Sequence, residues 1–262
     1  MKVLVTFAVE AEFAPWRKRR EFAAAHVDDL TIFCANVSGA DVSVLLTGIG
    51  DKSSSSLLGL QTSSFAVGSG FDVCVSSGLS GALRAEHELS EILVAKQVRT
   101  GTVHADARAN VLECDGELVL LAQASGAKIV GCFYTADHIV ITATEKARLS
   151  SLADAVEMES FEVIKEAYAW GTRAVAIRAI SDASTEDLPV DFNLAVTDKG
   201  GVSVSRMIGQ ALRHPRSVPG LLKFGMQSQK AATALAEFLE QYIATLVGQN
   251  EPAAVHGKTV QA

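Results

Sequence analysis

Apolar and β-branched residues come in short runs along this chain: KVLVTFAV, LTIFCANV, VSVLLTG, DVCVSSG, EILVAKQVR, KIVGCFYTA, HIVITA and RAVAIRAIS. Several of these runs lack polar alternation, which is how strands covered on both faces read. Helical candidates lie between them, at 10–25, 53–65, 116–124, 158–170 and 217–247. The broadly alternating order predicts an α/β protein, a three-layer sandwich whose central mixed sheet is flanked by helices. From 188 to 219 the chain is irregular, with prolines at 189, 215 and 219, and reads as a lid or surface excursion. The polar, aperiodic end NEPAAVHGKTVQA reads as a disordered tail, leaving 1–248 as one domain. No solenoid-length repeat is visible.

Composition narrows the function classes. A chain of 262 residues that is 48% hydrophobic can bury one large core. A net charge of -7 argues against a nucleic-acid partner, because such proteins show clustered basic surface. The run RKRR at 17–20 is the local exception and reads as a solvated helix face. Cys34, Cys74, Cys114 and Cys132 are widely separated and read as reduced thiols. The N-terminal apolar run is too short to span a membrane and is followed by acids, so a soluble cytoplasmic protein is expected.

Three clusters sit where strands are expected to end, the place where open α/β sheets hold ligands. The first is AVEAE, with Glu10 and Glu12. The second is the glycine-bearing pair TGIG (47–50) and SSGLSGAL (76–83). The third joins AVEMES to RAISDAST, with Met158, Glu159, Ser181 and Asp182. Each alone has a plain structural explanation. Glu10 and Glu12 suit the first turn of a helix. Asp182 suits an N-cap, Met158 suits a core, and glycines after strands suit turns. His104 and Asp106 in VHADAR are too few for a metal site, and His214 reads as a surface or lid residue.

Taken together, VEAE, TGIG, SSGLSGAL, VEMES and RAISD, in this order and spacing, resemble the nucleoside phosphorylase and nucleosidase superfamily. The methylthioadenosine/S-adenosylhomocysteine nucleosidases are the nearest pattern. The segment after Asp182, with LPVDF and LRHPRSVPGLLKF, resembles instead the hopanoid-associated branch, thought to remove adenine from an adenosylated lipid.

The resemblance implies roles for these residues. Glu159 accepts hydrogen bonds from ribose hydroxyls, a task suited to a carboxylate's two oxygens, and Met158 packs on the sugar. Asp182 donates a proton to purine N7, oriented by Ser181, and burial is expected to help it keep that proton near neutral pH. Glu12 activates the water that attacks the sugar. Ile49, Gly78, Ser80, Gly81, Ile139 and Val140 line the nucleoside. The resemblance assigns Glu157 no role; on a helix-like backbone it would point away from Glu159, and it reads as a supporting residue. No cofactor or metal is needed, and a homodimer is implied.

Two departures from the family pattern make the pocket more apolar: Leu79 in the glycine loop, and Ile139 and Val140 near the expected aromatic of the base site. They favour a bulky or hydrophobic 5′ substituent. The expected activity is purine nucleoside hydrolysis releasing adenine. One alternative is phosphorolysis, with Arg84 or Arg178 serving an anion. Another is a nucleoside-binding module without turnover.

Overall fold

The computed structural model describes residues 1–27, 30–50, 52–62, 70–101, 110–195 and 217–250. His104, Asp106 and His214, most of the expected lid and the tail from 251 lie outside them. The described strands are β1 (Lys2–Phe7), β2 (Ala23–Val27), β3 (Leu30–Val37), β4 (Ala40–Leu46), β5 (Val73–Ala82), β6 (Ile92–Thr100), β7 (Val111–Glu113), β8 (Lys128–Thr135), β9 (Ala155–Glu157) and β10 (Arg173–Asp182). The helices are α1 (Glu10–Arg19), α2 (Lys52–Thr62), α3 (Gly116–Ala124), α4 (Ala143–Leu149), α5 (Ser160–Ala169) and α6 (Val218–Asn250), with a 3-10 turn at Phe192–Ala195.

The sheet is mixed, as the alternating order predicts. Strand β5 lies parallel to β1 along one edge and parallel to β10 along the other. Its far end also pairs with the short β9, so that β5, β10, β6, β8 and β9 close into a ring. From β5 the sheet continues through β1, β4, β3 and β2. Helices α1 and α3 pack on α6, and α2 packs on α5; both α5 and α6 reach β10 and β5. The runs read as doubly covered strands bear this out: in β1 every residue after Lys2 is buried, and in β10 every residue after Arg173. Among the described residues no helix is long and apolar enough to cross a membrane.

Four expectations are corrected. The helix expected over 10–25 stops at Arg19, because Ala23–Val27 finds an antiparallel partner in β3. The stretch 76–83 is not a glycine turn after a strand: β5 runs on to Ala82, paired with β10 and β9. HIVITA forms no strand. Both main-chain groups of Ile139 are taken by the side-chain amide of Asn193, at 2.8 and 3.0 Å, and Thr142 caps α4. Finally, Glu157 lies in β9, not on a helix.

Helix α1 is anchored at both ends of its buried face. Phe13 and Trp16 are fully buried in an aromatic cluster with Phe7, Phe22 and Phe33, and burying the Phe13 side chain alone is worth roughly 1.5–3 kcal/mol. Glu240 of α6 then accepts from Trp16 Nε1 at 2.7 Å and from Arg20 at 2.7 and 3.0 Å. The basic run is thus partly a clamp: Arg17 pairs with Glu10, Arg19 with Glu237 and Arg20 with Glu240. Glu240→Ala is expected to lower the unfolding free energy by about 1–3 kcal/mol in urea titrations, since it orphans three donor nitrogens on two side chains. Glu237→Ala, at a more exposed pair, is expected to change it by less than about 1 kcal/mol.

Candidate active site

A cavity of about 1160 Å³ opens where β5, β9 and β10 end, walled by α1 and the start of α6. Glu12, Glu157, Glu159 and Asp182 all face it. Four carboxyls around one cavity, three of them on buried or nearly buried side chains, demand specific compensation, because an unpaired buried charge costs several kcal/mol.

Glu12 owes its place to a mismatch of strand lengths. Strand β1 pairs with β5 only as far as Ser76, which leaves the N–H of Leu79 beyond its reach. Glu12 Oε1 takes that N–H at 2.8 Å. The other oxygen, Oε2, accepts from Ala8 and Val9 at 3.0 and 3.3 Å, closing the N-terminus of α1 as a third-position glutamate does in a capping box. Burial lifts the carboxyl above its ordinary 4.5, while the Leu79 N–H and the charge of Arg178 pull the other way. Gly78 makes room: its φ is +150°, and a Cβ there would stand 3.0 Å from Glu12 Oε1.

Glu157 and Arg178 form the buried core of the site. Arg178 donates to Glu157 Oε2 at 2.6 Å and to the main chain of Ser76 at 2.8 Å. The same Glu157 oxygen accepts the N–H groups of Glu159 and Ser160, at 3.0 and 2.7 Å, and so caps α5. Thr135 holds the other oxygen. This fixes the backbone of Glu159, whose carboxyl enters the cavity and accepts, among the described residues, only from Gly50 N–H at 3.2 Å. It lies 3.9 Å from Arg178, too far for a hydrogen bond. Burial first, and the Glu157 charge second, push it up to about 8.

Asp182 ends β10 and caps no helix. Ser181 donates to its Oδ1 at 2.7 Å. Its Oδ2 meets a partner that sequence reasoning missed: Lys146 of α4, fully buried, at 2.5 Å. Lys146 spends its other protons on the carbonyls of Ala183 and Glu186, at 2.8 and 2.9 Å. A buried cation therefore touches this carboxyl. A Cβ on Gly81 would fall 2.8 Å from Oδ2, so this glycine makes room for Asp182 as Gly78 does for Glu12.

The expected residues converge. Glu12, Ile49, Ser80, Gly81, Ile139, Val140, Met158, Glu159, Ser181 and Asp182 all line the cavity, and Gly78 backs Glu12. Glu10 also borders it but pairs with Arg17 on the surface. Ser80 Oγ is buried without a partner among the described residues. Arg84, considered for an anion, binds Asp154 at 2.9 Å. Nothing in the helical run ATEKARL marks Lys146 as buried; its charge reads as surface. The cavity also takes in an apolar wall of Leu188, Phe192, Leu221, Leu222 and Phe224, which come from the two stretches LPVDF and LRHPRSVPGLLKF that follow Asp182.

The chain and its fold are similar to those of known proteins. A curated 5′-methylthioadenosine/S-adenosylhomocysteine nucleosidase of Shewanella halifaxensis is 25% identical over 229 residues, 79% of this chain and 97% of the relative. The fold matches that of a nucleosidase of the same name from S. pneumoniae, solved with a transition-state inhibitor, at a TM-score of 0.70 and 18% identity over 94% of this chain and 100% of that one. It also matches the futalosine hydrolase of Helicobacter pylori at 0.69 and 19%, over 93% and 97%. A model of the phosphorylase superfamily matches residues 2–213, the stretch that carries every carboxylate of the cavity, and the chain belongs to that superfamily.

Proposed function

We propose that the protein is a purine nucleoside N-ribohydrolase that releases adenine from a 5′-substituted adenosine. The observation that carries this reading is the set of three differently held carboxyls, Glu12, Glu159 and Asp182, around one cavity. A binding module needs neither a water activator nor a proton donor. Names of similar proteins, a methylthioadenosine/S-adenosylhomocysteine nucleosidase and a futalosine hydrolase, support nucleoside hydrolysis.

In this reading Glu159, with one donor on its carboxyl among the described residues, takes the ribose hydroxyls, and Met158 packs against the sugar. Asp182 gives its proton to purine N7, because a purine anion is a poor leaving group. The carboxylate left behind is met by Lys146 and Ser181, which hold it in place as the proton departs. Glu12 activates water on the opposite face of the sugar. Its own three hydrogen bonds come from main-chain N–H groups, which hold it rigid and keep no side-chain proton near the attacking oxygen.

The cavity also speaks to the tail of the substrate. Its volume of about 1160 Å³ exceeds the roughly 300–1,000 Å³ typical of small-molecule sites. The surplus is bounded by the apolar wall from 188–192 and α6. An extended hydrophobic 5′ substituent fits that wall better than a methylthio group alone.

Phosphorolysis is the competing chemistry within the superfamily. Against it, Arg178 is committed to Glu157 and Arg84 to Asp154, and Glu12 would repel phosphate. The test is adenine release from methylthioadenosine, S-adenosylhomocysteine, adenosine and a 5′-alkyl adenosine, with and without phosphate. Free sugar formed without phosphate, fastest with the alkyl tail, is expected; sugar 1-phosphate formed only with phosphate would overturn hydrolysis. Lys146→Met is expected to lower kcat about ten- to a hundredfold with a smaller effect on KM, and Lys146→Arg to recover part of the loss. An unchanged kcat would remove Lys146 from the account.

A further inference from the structure

Outside the cavity, a second group of side chains converges at the root of β9. His87 sits in the turn that follows β5, and its side chain is only 1% exposed. Its Nδ1 lies 3.2 Å from Glu91 Oε2. With Glu91 accepting from Nδ1–H, Nε2 carries the lone pair; Lys128 Nζ, 3.4 Å from the same Nδ1, favours the opposite tautomer and must turn aside when the ion binds. That Nε2 is buried with no hydrogen-bond partner among the described residues. It faces Asp154 Oδ1 across 3.9 Å, and Glu86 brings a second carboxylate; one ligand atom from each of the three lies within 4.8 Å of the others.

We propose that Glu86, His87 and Asp154 form a binding site for a divalent transition metal, with Zn²⁺ the best match. Several features support this, beginning with the gap itself. A separation of 3.9 Å is too long for a hydrogen bond, and an ion bound at about 2.0–2.1 Å from each atom would draw the two side chains a few tenths of an ångström together to reach a tetrahedral angle. One imidazole nitrogen with two carboxylates is a borderline donor set that suits zinc better than calcium or magnesium, which prefer all-oxygen ligands. Glu91 supplies the carboxylate that orients a metal-bound histidine through its other nitrogen. Asp154 is itself fixed, its Oδ2 accepting the N–H of Cys132 at 3.0 Å.

Two cations compete with the ion. Arg84 Nε is 2.9 Å from Asp154 Oδ1 and is 45% exposed, so it can swing into solvent when the metal arrives. Lys128, 42% exposed, pairs with Glu91 at 3.3 Å and balances the outer carboxylate. The site therefore binds with a penalty that Arg84 sets. Its role is to pin the turn after β5 to residue 154, from which the three residues of β9 lead to Glu157.

The test uses the full chain after chelator treatment and dialysis, titrated with Zn²⁺ by calorimetry and by thermal unfolding. Saturable one-to-one binding with a raised Tm is expected. His87→Gln is expected to abolish it, Glu86→Gln to weaken it, and Glu91→Gln to weaken it about ten- to a hundredfold. Arg84→Met is expected to tighten it. Glu86 is exposed, so its substitution tests the site without risk to the fold. Lack of saturable binding by the native chain, or undiminished binding by both His87→Gln and Glu86→Gln, would overturn the proposal. The second result would direct the ion to the carboxylates of the cavity instead.

Discussion

The site depends on one buried cation. Arg178 comes off β10 beneath three glutamates, bonds one of them directly and draws down the other two through space. Without it, Glu12, Glu157 and Glu159 would be like charges in a low-dielectric pocket, each raising the cost of the next. With it, Glu157 becomes a structural anion that caps α5 and fixes the turn into Met158 and Glu159. Breaking such a pair by removing one partner typically costs about 3–5 kcal/mol, because the other charge stays behind unpaired. The same arrangement leaves Glu159 with a single hydrogen bond among the described residues, in keeping with the role proposed for it toward ribose hydroxyls.

Backbone geometry supplies the rest of the compensation. Glu12 is held by main-chain N–H groups that the short β1 leaves free, and Asp182 by a serine and a lysine. The two glycines of SSGLSGAL lie against these two carboxyls, at distances that leave no space for a side chain. Their function is thus room for acids, not flexibility for a turn. A motif read as a ligand-approaching loop is, in space, the packing partner of the proposed catalytic groups.

Much of this was legible in the chain because its signals are local. The doubly buried strands β1 and β10 read as unbroken apolar runs, and VEMES with RAISD carried the site. What escaped depends on tertiary contact. The segment AAAHV at 23–27 becomes a strand only because β3 lies beside it, and β9 is too short for any period to show. Lys146 looks like one more solvated charge of a polar helix until Asp182 and two carbonyls converge on it. Asn193 holds Ile139 where a strand was expected, through a contact between residues far apart in sequence.

The claim at the centre of this account is that Glu12 is the base that activates water. Glu12→Gln is the sharpest probe, because it preserves the side-chain volume and an acceptor for Leu79 N–H while removing the basic carboxylate. The measurement is single-turnover adenine release from the best substrate, beside the dissociation constant of the same nucleoside. A rate at least about a hundredfold slower with binding unchanged is the predicted result. A rate within a few-fold of the native protein would contradict the account and leave Glu12 as a helix cap alone.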